Sequence, residues 1–193
     1  MSIQSRKERE RAQREKLIIA AARELAESEG WEAVTTRRLA DEVEYSQPVL
    51  YSHFKSKDAI VTAVAHEGIA DMADELRAAR TAAHSPQDAL TGLASAYVAF
   101  AERRPALYEA MFSRRVDLPF ATPEAPPALK AAFGELVEAV RPYAGDTAPD
   151  LLAEILWAAL HGLVTLMRGG RIPREGHEER LKALLARFTR AAG

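Results

Sequence analysis

The chain of 193 residues contains no cysteine. That excludes a disulfide framework and any thiolate metal site, and it fits a reducing, cytoplasmic setting. β-Branched residues are sparse beside alanine and leucine, and no segment alternates apolar and polar residues with strand period. Both absences point to an all-α fold. No apolar run approaches the roughly 20 residues needed to cross a bilayer, so no membrane partner is expected. The start of the chain, MSIQSRKERERAQREK, has no apolar centre and does not read as a secretory signal. Enzyme signatures are missing too: there is no nucleophile elbow, no glycine-rich phosphate loop and no HExxH pair. His161, Glu154 and Trp157 share a helix face with Asp150 nearby, but carboxylate–histidine neighbours without a motif are usually structural. Neither an enzyme activity nor a cofactor nor a metal is expected.

What is present is ordinary for a soluble globular protein: 48% apolar and 28% charged residues, enough to build a sizeable core. The net charge of −2 argues against bulk affinity for nucleic acid. Local charge differs. Residues 1–16 carry Arg6, Lys7, Arg9, Arg11, Arg14 and Lys16 against Glu8, Glu10 and Glu15, a net of +3. Such a run is either a solvated, frayed helix start or a helix end lying along phosphates.

Periodicity of three and four predicts about nine helices. The first runs from about 8 to 29, with Leu17, Ile18, Ala21, Ala22 and Leu25 on its apolar stripe and Gly30 as its stop. Two short helices follow, over about 36–43 and 47–53, capped by Thr35 or Thr36 and by Ser46. Ser56 caps a long helix over about 57–82, and Ser85-Pro86-Gln87-Asp88 opens a fifth that ends near Arg103-Arg104. Pro105 opens a short sixth helix, PALYEAMF. Residues 113–127 hold four of the ten prolines and read as a mobile surface loop. Helices over about 127–140, 150–168 and 175–191 complete the chain, the eighth opened by Thr147-Ala148-Pro149-Asp150 and ended by Gly169-Gly170.

The second and third helices carry the most information. Neither can be stable alone, because nucleating a helix is costly and short helices are marginal in water. They must pack on something, and a helix-turn-helix that reads DNA is the commonest reason for that shape. Leu39, Val43, Leu50 and Phe54 are their core positions.

The segment from Gly30-Trp31 through Val34-Thr35, Leu39-Ala40 and Tyr45-Ser46 to Leu50, Tyr51, Phe54 and Lys57 resembles the TetR family of transcriptional regulators. The pattern Leu-Tyr-x-x-Phe-x-x-Lys is its most specific part. Further along, Pro105, Tyr108, Met111, Phe112, Trp157, His161 and Gly162 are similar to a subgroup with a Trp-His-Gly signature. One position departs from the family: the turn between the two short helices is usually glycine and is here Glu44. A non-glycine residue there costs roughly 1 kcal/mol if the turn keeps its positive φ.

The resemblance implies a helix-turn-helix DNA-binding domain over residues 1–55, with the fourth helix from about 56 as connector, and a helical effector-binding and dimerisation domain over 56–193. A recognition helix presents its N-terminal residues to base edges, so Ser46, Gln47, Pro48 and Val49 are the expected readers. Gln47 suits adenine, and Pro48 or Val49 suits a thymine methyl. Thr36, Tyr51, His53 and Lys57 are similar to the family's phosphate contacts, although Tyr51 could instead be a packing residue and His53 an exposed linker residue. A partly apolar small-molecule effector is implied, bound by Tyr97, Phe100, Tyr108, Met111, Phe112, Trp157 and His161 with the proline-rich loop as lid. These aromatics could also be plain core, and His161 a structural histidine. Dimerisation is expected through the eighth and ninth helices, unless the ninth only covers its own core. The implied function is a cytoplasmic, ligand-responsive repressor that binds a palindromic operator as a homodimer and is released by its effector. An activator or a ligand-independent DNA-binding protein on the same fold is the alternative.

Overall fold

The computed structural model describes residues 3–112, 114, 119 and 122–189, with side chains from residue 5 onward. Among the described residues there are nine α-helices and no strand: α1 (Ile3–Glu29), α2 (Thr36–Glu42), α3 (Gln47–His53), α4 (Lys57–Thr81), α5 (Pro86–Arg103), α6 (Pro105–Phe112), α7 (Pro127–Val140), α8 (Pro149–Arg168) and α9 (His177–Thr189), with a single 3-10 turn at Arg141–Tyr143. The all-α, nine-helix expectation holds. Contacts divide the chain into two compact units, Met1–Gly68 with Arg104–Pro119 and Ile69–Arg103 with Phe120–Gly193. The division falls inside α4.

The first unit is built on α1. Its buried stripe is Ile18, Ile19, Ala21, Ala22, Leu25 and Ala26. Leu17, expected in that stripe, is 47% exposed. It lies about 100° around the helix from Ile18, off the line through Ile18, Ala22 and Leu25. The helix also starts at Ile3 rather than near Glu8, with its charged first turns supported by the i,i+4 pairs Arg6–Glu10 and Arg11–Glu15. Gly30, at φ +84°, ends it. Trp31 and Val34 then turn inward and are almost fully buried.

Of the two threonines considered, Thr35 is the N-cap of α2, and its hydroxyl accepts from the Arg38 N–H at 3.2 Å. Ser46 occupies the N-cap position of α3 but makes no side-chain capping bond. Pro48 in the first turn removes one of the donors such a cap would serve. Ser56 caps α4 by accepting from the Ala59 N–H at 3.1 Å.

Helix α6 packs in the same unit, and its attachment is specific. The Glu27 carboxylate accepts from the N–H groups of Ala106 and Leu107 at 3.1 and 2.9 Å, which satisfies two donors at the start of α6. The Trp31 indole N–H donates to the Ala106 carbonyl at 2.8 Å. The Arg114 guanidinium lies 5.5 Å from the centre of the Trp31 ring system and pairs with Glu32 and Glu109. On the other side, Gly68 of α4 leaves no room beside Leu107 and Met111. A Cβ there would sit 2.6 Å from Leu107 Cδ1 and 2.9 Å from Met111 Sδ.

In the second unit α5 is central and packs against α7, α8 and α9, while α7 also packs on α8. Tyr97, Phe100, Leu90 and Leu93 of α5 are fully buried, as are Leu156, Leu160 and Val164 of α8. Ser85 caps α5 as its pattern predicts, accepting from the Asp88 N–H at 3.1 Å and donating to its carboxylate at 2.7 Å. The start of α8 differs from expectation. Its N-cap is Ala148, with no side-chain bond, and Pro149 in the first turn suffices to begin the helix. Its end follows expectation: Gly170, at φ +65°, lets the Arg171 N–H reach the Leu166 carbonyl at 2.8 Å. A buried carboxylate, Glu135 of α7, is held by Arg77 and Arg80 of α4 at 3.0 and 2.7 Å.

Helix α8 corrects one reading. At 20 residues and a mean hydropathy of 1.5 it is long and apolar enough to cross a bilayer. Its apolar surface is divided instead. Ala153, Leu156, Leu160, Val164 and Met167 are buried in the unit, whereas Leu151 and Ile155 are each 50% exposed and Leu166 is 44% exposed. Of the 113–127 loop, residues 113, 115–118, 120 and 121 lie outside the described residues, and so does a ninth-helix end beyond Thr189.

Because the α4–α6 approach at Gly68 has no space for a methyl group, Gly68→Ala is expected to destabilise the protein by about 1–3 kcal/mol, the usual cost of overpacking. Chemical denaturation read by circular dichroism measures it; an unchanged midpoint would show that Leu107 and Met111 yield freely.

Candidate nucleic-acid interface

Helices α2 and α3 are positioned by three buried apolar anchors. Leu39 and Leu50 are fully buried and Val43 is 7% exposed, so the turn between the helices is held from below. At that turn α2 ends with the Tyr45 N–H donating to the Ala40 carbonyl at 2.8 Å and the Glu44 N–H to the Asp41 carbonyl at 3.3 Å. This paired closure needs a left-handed residue after the last helical one. Glu44 fills it at φ 55°, the single non-glycine residue with positive φ among those described. The strain anticipated from the missing glycine is therefore real.

With its inner face anchored, α3 turns its first residues outward. Ser46, Gln47, Pro48 and Val49 are all exposed and contiguous. The hydroxyls of Thr36 and Tyr51 share a hydrogen bond of 3.3 Å, which ties the start of α2 to α3 and sets two hydroxyl groups side by side. Tyr51 is 48% exposed and so half-buried, with its hydroxyl at the Thr36 side chain.

His53 and Lys57 are placed differently. The His53 side chain is only 6% exposed, with Nδ1 3.4 Å from the Glu15 carboxylate of α1. Lys57 Nζ donates to the Trp31 carbonyl at 2.7 Å, which occupies one of its three donors. Burial raises the Glu15 carboxyl, but hydrogen bonds and charge from Arg11 and His53 outweigh it and leave the group below its ordinary range. Two further residues belong to this region: Arg11, from the basic run of residues 1–16, and Arg38, which the sequence did not single out. Arg11 Nη2 donates to the Ser52 carbonyl in the last turn of α3 at 3.4 Å. Arg38 makes a bidentate pair with Glu29 at 2.6 and 2.7 Å. Helical phase was the available signal for Arg11, since it lies seven residues before Ile18 on the buried face of α1. No sequence pattern announces the Arg38–Glu29 pair, whose partners come from different helices.

The seven residues expected to hold an effector fall into two groups. Tyr108, Met111 and Phe112 belong to the first unit, where the rings of Tyr108 and Phe112 meet at 4.9 Å with a 59° tilt. Tyr97, Phe100, Trp157 and His161 belong to the second. There the Trp157 indole N–H donates to the buried Tyr97 hydroxyl at 3.1 Å, and His161 lies one turn along α8 within 3.4 Å of the Thr165 hydroxyl. Burial lowers the His161 pKa, which favours the neutral ring. No group of His, Asp or Glu among the described residues is arranged to hold a metal ion.

Two family models match this chain. That of the bacterial regulatory proteins of the tetR family covers residues 18–64, from the buried half of α1 through both short helices. That of the tetracyclin repressor-like C-terminal domain covers residues 90–191, more than half of the chain. The chain belongs to the TetR family of transcriptional regulators. Its α2–α3 pair is the family's DNA-binding helix-turn-helix, and the protein is a regulator rather than an enzyme. An uncharacterized HTH-type transcriptional regulator of Mycobacterium tuberculosis is 29% identical over 79% of this chain and 69% of its own length. A solved Rhodococcus protein of unknown function superposes with a TM-score of 0.74 at 25% identity, covering 91% of this chain and 93% of that one. A TetR variant from Acinetobacter baumannii, solved in complex with minocycline, shares the fold at a TM-score of 0.64 and 21% identity, over 91% and 96% of the two chains.

Relief of the Glu44 strain recovers roughly 1–2 kcal/mol, less the roughly 0.5–1 kcal/mol that glycine costs in the unfolded chain. Glu44→Gly is thus expected to raise stability by up to about 1.5 kcal/mol and, by removing a carboxylate beside the reading helix, to tighten DNA binding. Thermal melting together with fluorescence anisotropy on duplex DNA checks both effects. A lower melting temperature would mean that the Glu44 side chain contributes more than its backbone costs.

Proposed function

We propose that this TetR-family regulator is a ligand-responsive repressor that binds a palindromic operator as a homodimer and leaves it when a small-molecule effector binds. In this reading residues 1–55 read DNA, while residues 56–193 carry effector binding and dimerisation, with 56–68 and 104–112 packed in the same compact unit as the reader. The observation that carries it is the outward row Ser46, Gln47, Pro48 and Val49 on a helix anchored from the other side by the fully buried Leu50. Gln47 is the base reader, through its amide to adenine, and Pro48 and Val49 supply apolar contact to thymine methyls. Thr36 and Tyr51 offer paired hydroxyls to a phosphate, and Lys57 and His53 steady the same region.

A single helix-turn-helix covers too little DNA for specific occupancy of a genome, and a two-fold pair reading half-sites about 34–36 Å apart overcomes this. The exposed apolar side of α8, with Leu151, Ile155 and Leu166, supports dimerisation through α8 and α9. Ala158 and Gly162 on that side leave space for a close helix approach. In α9 the large residues Leu181, Leu185 and Phe188 are spent inside their own unit, so α8 carries most of the apolar contact.

An effector is supported by the fold shared with the minocycline-bound neighbour. On this chain the Trp157 indole, the Tyr97 hydroxyl and the neutral His161 ring are the polar groups that would orient a partly apolar molecule. Helix α4, which contributes residues to both units, carries the response to the reader. A differential affinity of about 1–3 kcal/mol between the two states changes DNA affinity 5- to 150-fold. A cytoplasmic setting follows from this role.

Selection of bound fragments from genomic DNA by the purified protein tests the reading. The expected result is a two-fold symmetric site whose neighbours rise in expression on deletion of the regulator; falling expression would make it an activator, and an asymmetric or absent site would overturn the reading. Against a panel of single-base operator variants, Gln47→Ala is expected to lose about 1–3 kcal/mol of discrimination at one position per half-site. Ile155→Arg is expected to yield monomers in sedimentation velocity and to weaken operator binding; retained dimers would move the interface off α8.

A further inference from the structure

The DNA-reading helices are short of available cations. Residues 36–57 contain Arg37, Arg38, Lys55 and Lys57 against Asp41, Glu42 and Glu44. Two of those four cations are engaged within the protein: Arg38 is locked to Glu29 on both nitrogens, and Lys57 donates to the Trp31 carbonyl. Glu44 adds the wrong sign at the turn. Affinity for duplex DNA comes chiefly from neutralised phosphates, so a reader this poor in cations needs them from elsewhere. The first 16 residues carry +3 in a chain of net −2, which leaves the remainder at −5.

The structure puts that charge beside the reader. Helix α1 is continuous from Ile3, and Lys7, Arg11, Arg14 and Ile18 follow spacings of four, three and four. They therefore share one face, the same face that buries Ile18 and Leu25 beneath the two short helices. Arg11 fixes the register by donating to the Ser52 carbonyl of α3, and Glu15 braces it between Arg11 and His53. Lys7 and Arg14 flank this anchor, exposed and with no ion pair or hydrogen bond among the described residues. From Arg11 back to Ile3 the helix extends about 12 Å, the rise of three to four base pairs. A helix seated in the major groove has a phosphate strand along each flank, so cations held against the end of α3 lie next to one.

We propose that the N-terminal extension of α1 is a second DNA-contacting element, in which Lys7, Arg11 and Arg14 bind backbone phosphates flanking the base-reading site. It supplies sequence-independent affinity beyond what Thr36 and Tyr51 offer. The inference rests on the operator-binding reading above and adds to it a separate surface.

The test uses the full-length protein and two duplexes of equal length, one recovered by the wild type from a random-sequence library and one of unselected sequence. Binding is measured by fluorescence anisotropy between about 50 and 200 mM salt. Each phosphate contact contributes about 0.9 to the slope of log affinity against log salt. Lys7→Gln/Arg14→Gln removes two cations that hold nothing in the fold. It is expected to flatten the slope by about 1.8 on both duplexes, making the affinity loss over that salt range roughly tenfold smaller. Base preference and melting temperature should stay as in the wild type. Adding Arg11→Gln should take the change to about 2.7; if that variant also melts earlier, the double variant decides. Wild-type binding with an unaltered slope in the double variant overturns the proposal and leaves the operator reading standing. Absence of wild-type binding to either duplex would remove both.

Discussion

A helix of seven residues cannot hold itself together in water, and this protein has to hold two of them at a fixed angle. Beside them, Trp31 ties the surrounding helices together. Its side chain is 2% exposed, its indole N–H is spent on the Ala106 carbonyl, and its ring lies under the Arg114 guanidinium. Its own carbonyl accepts from Lys57 at the start of α4. One residue therefore joins the end of α1, the start of α4 and the start of α6. With Glu27 closing the first N–H groups of α6, the reading helices rest on a frame whose polar groups are satisfied internally.

That frame explains how work is divided on the reading surface. Side chains near α2 and α3 are partly engaged in holding the helices: Lys57, Arg38 and His53 all face protein partners. What stays outward is a short row of small and amide side chains suited to discrimination, beside a hydroxyl pair suited to one phosphate. Positive charge is concentrated instead on the first turns of α1. Glu44 belongs to the same economy, since its left-handed backbone is needed to close α2 whichever side chain stands there.

The second unit divides its apolar residues in a comparable way. Helix α5 is buried along most of its inner length, and α8 is apolar on two sides, one packed and one open. Its composition alone is that of a bilayer-crossing segment. Ala153, Leu156, Leu160, Val164 and Met167 form one buried stripe, against which α5 and α7 pack.

The nine helices, their order and most of their caps were legible in the sequence because these signals are local: spacings of three and four, Ser85 before Pro86, Ser56 before Lys57, glycine after α1 and α8. The helix-turn-helix was legible for the same reason, as was the strain at Glu44, since a turn of that kind dictates its own φ. What only the tertiary structure decided are the pairings between residues distant in the chain. Arg38 meeting Glu29, Lys57 meeting the Trp31 carbonyl, His53 turning to Glu15 and Glu27 reaching α6 leave no periodic trace, because each depends on which faces meet after packing. The same holds for Leu17, an apolar residue left in solvent one hundred degrees from the buried line. Composition specifies how much apolar surface a helix has; only the fold determines which part of it is covered.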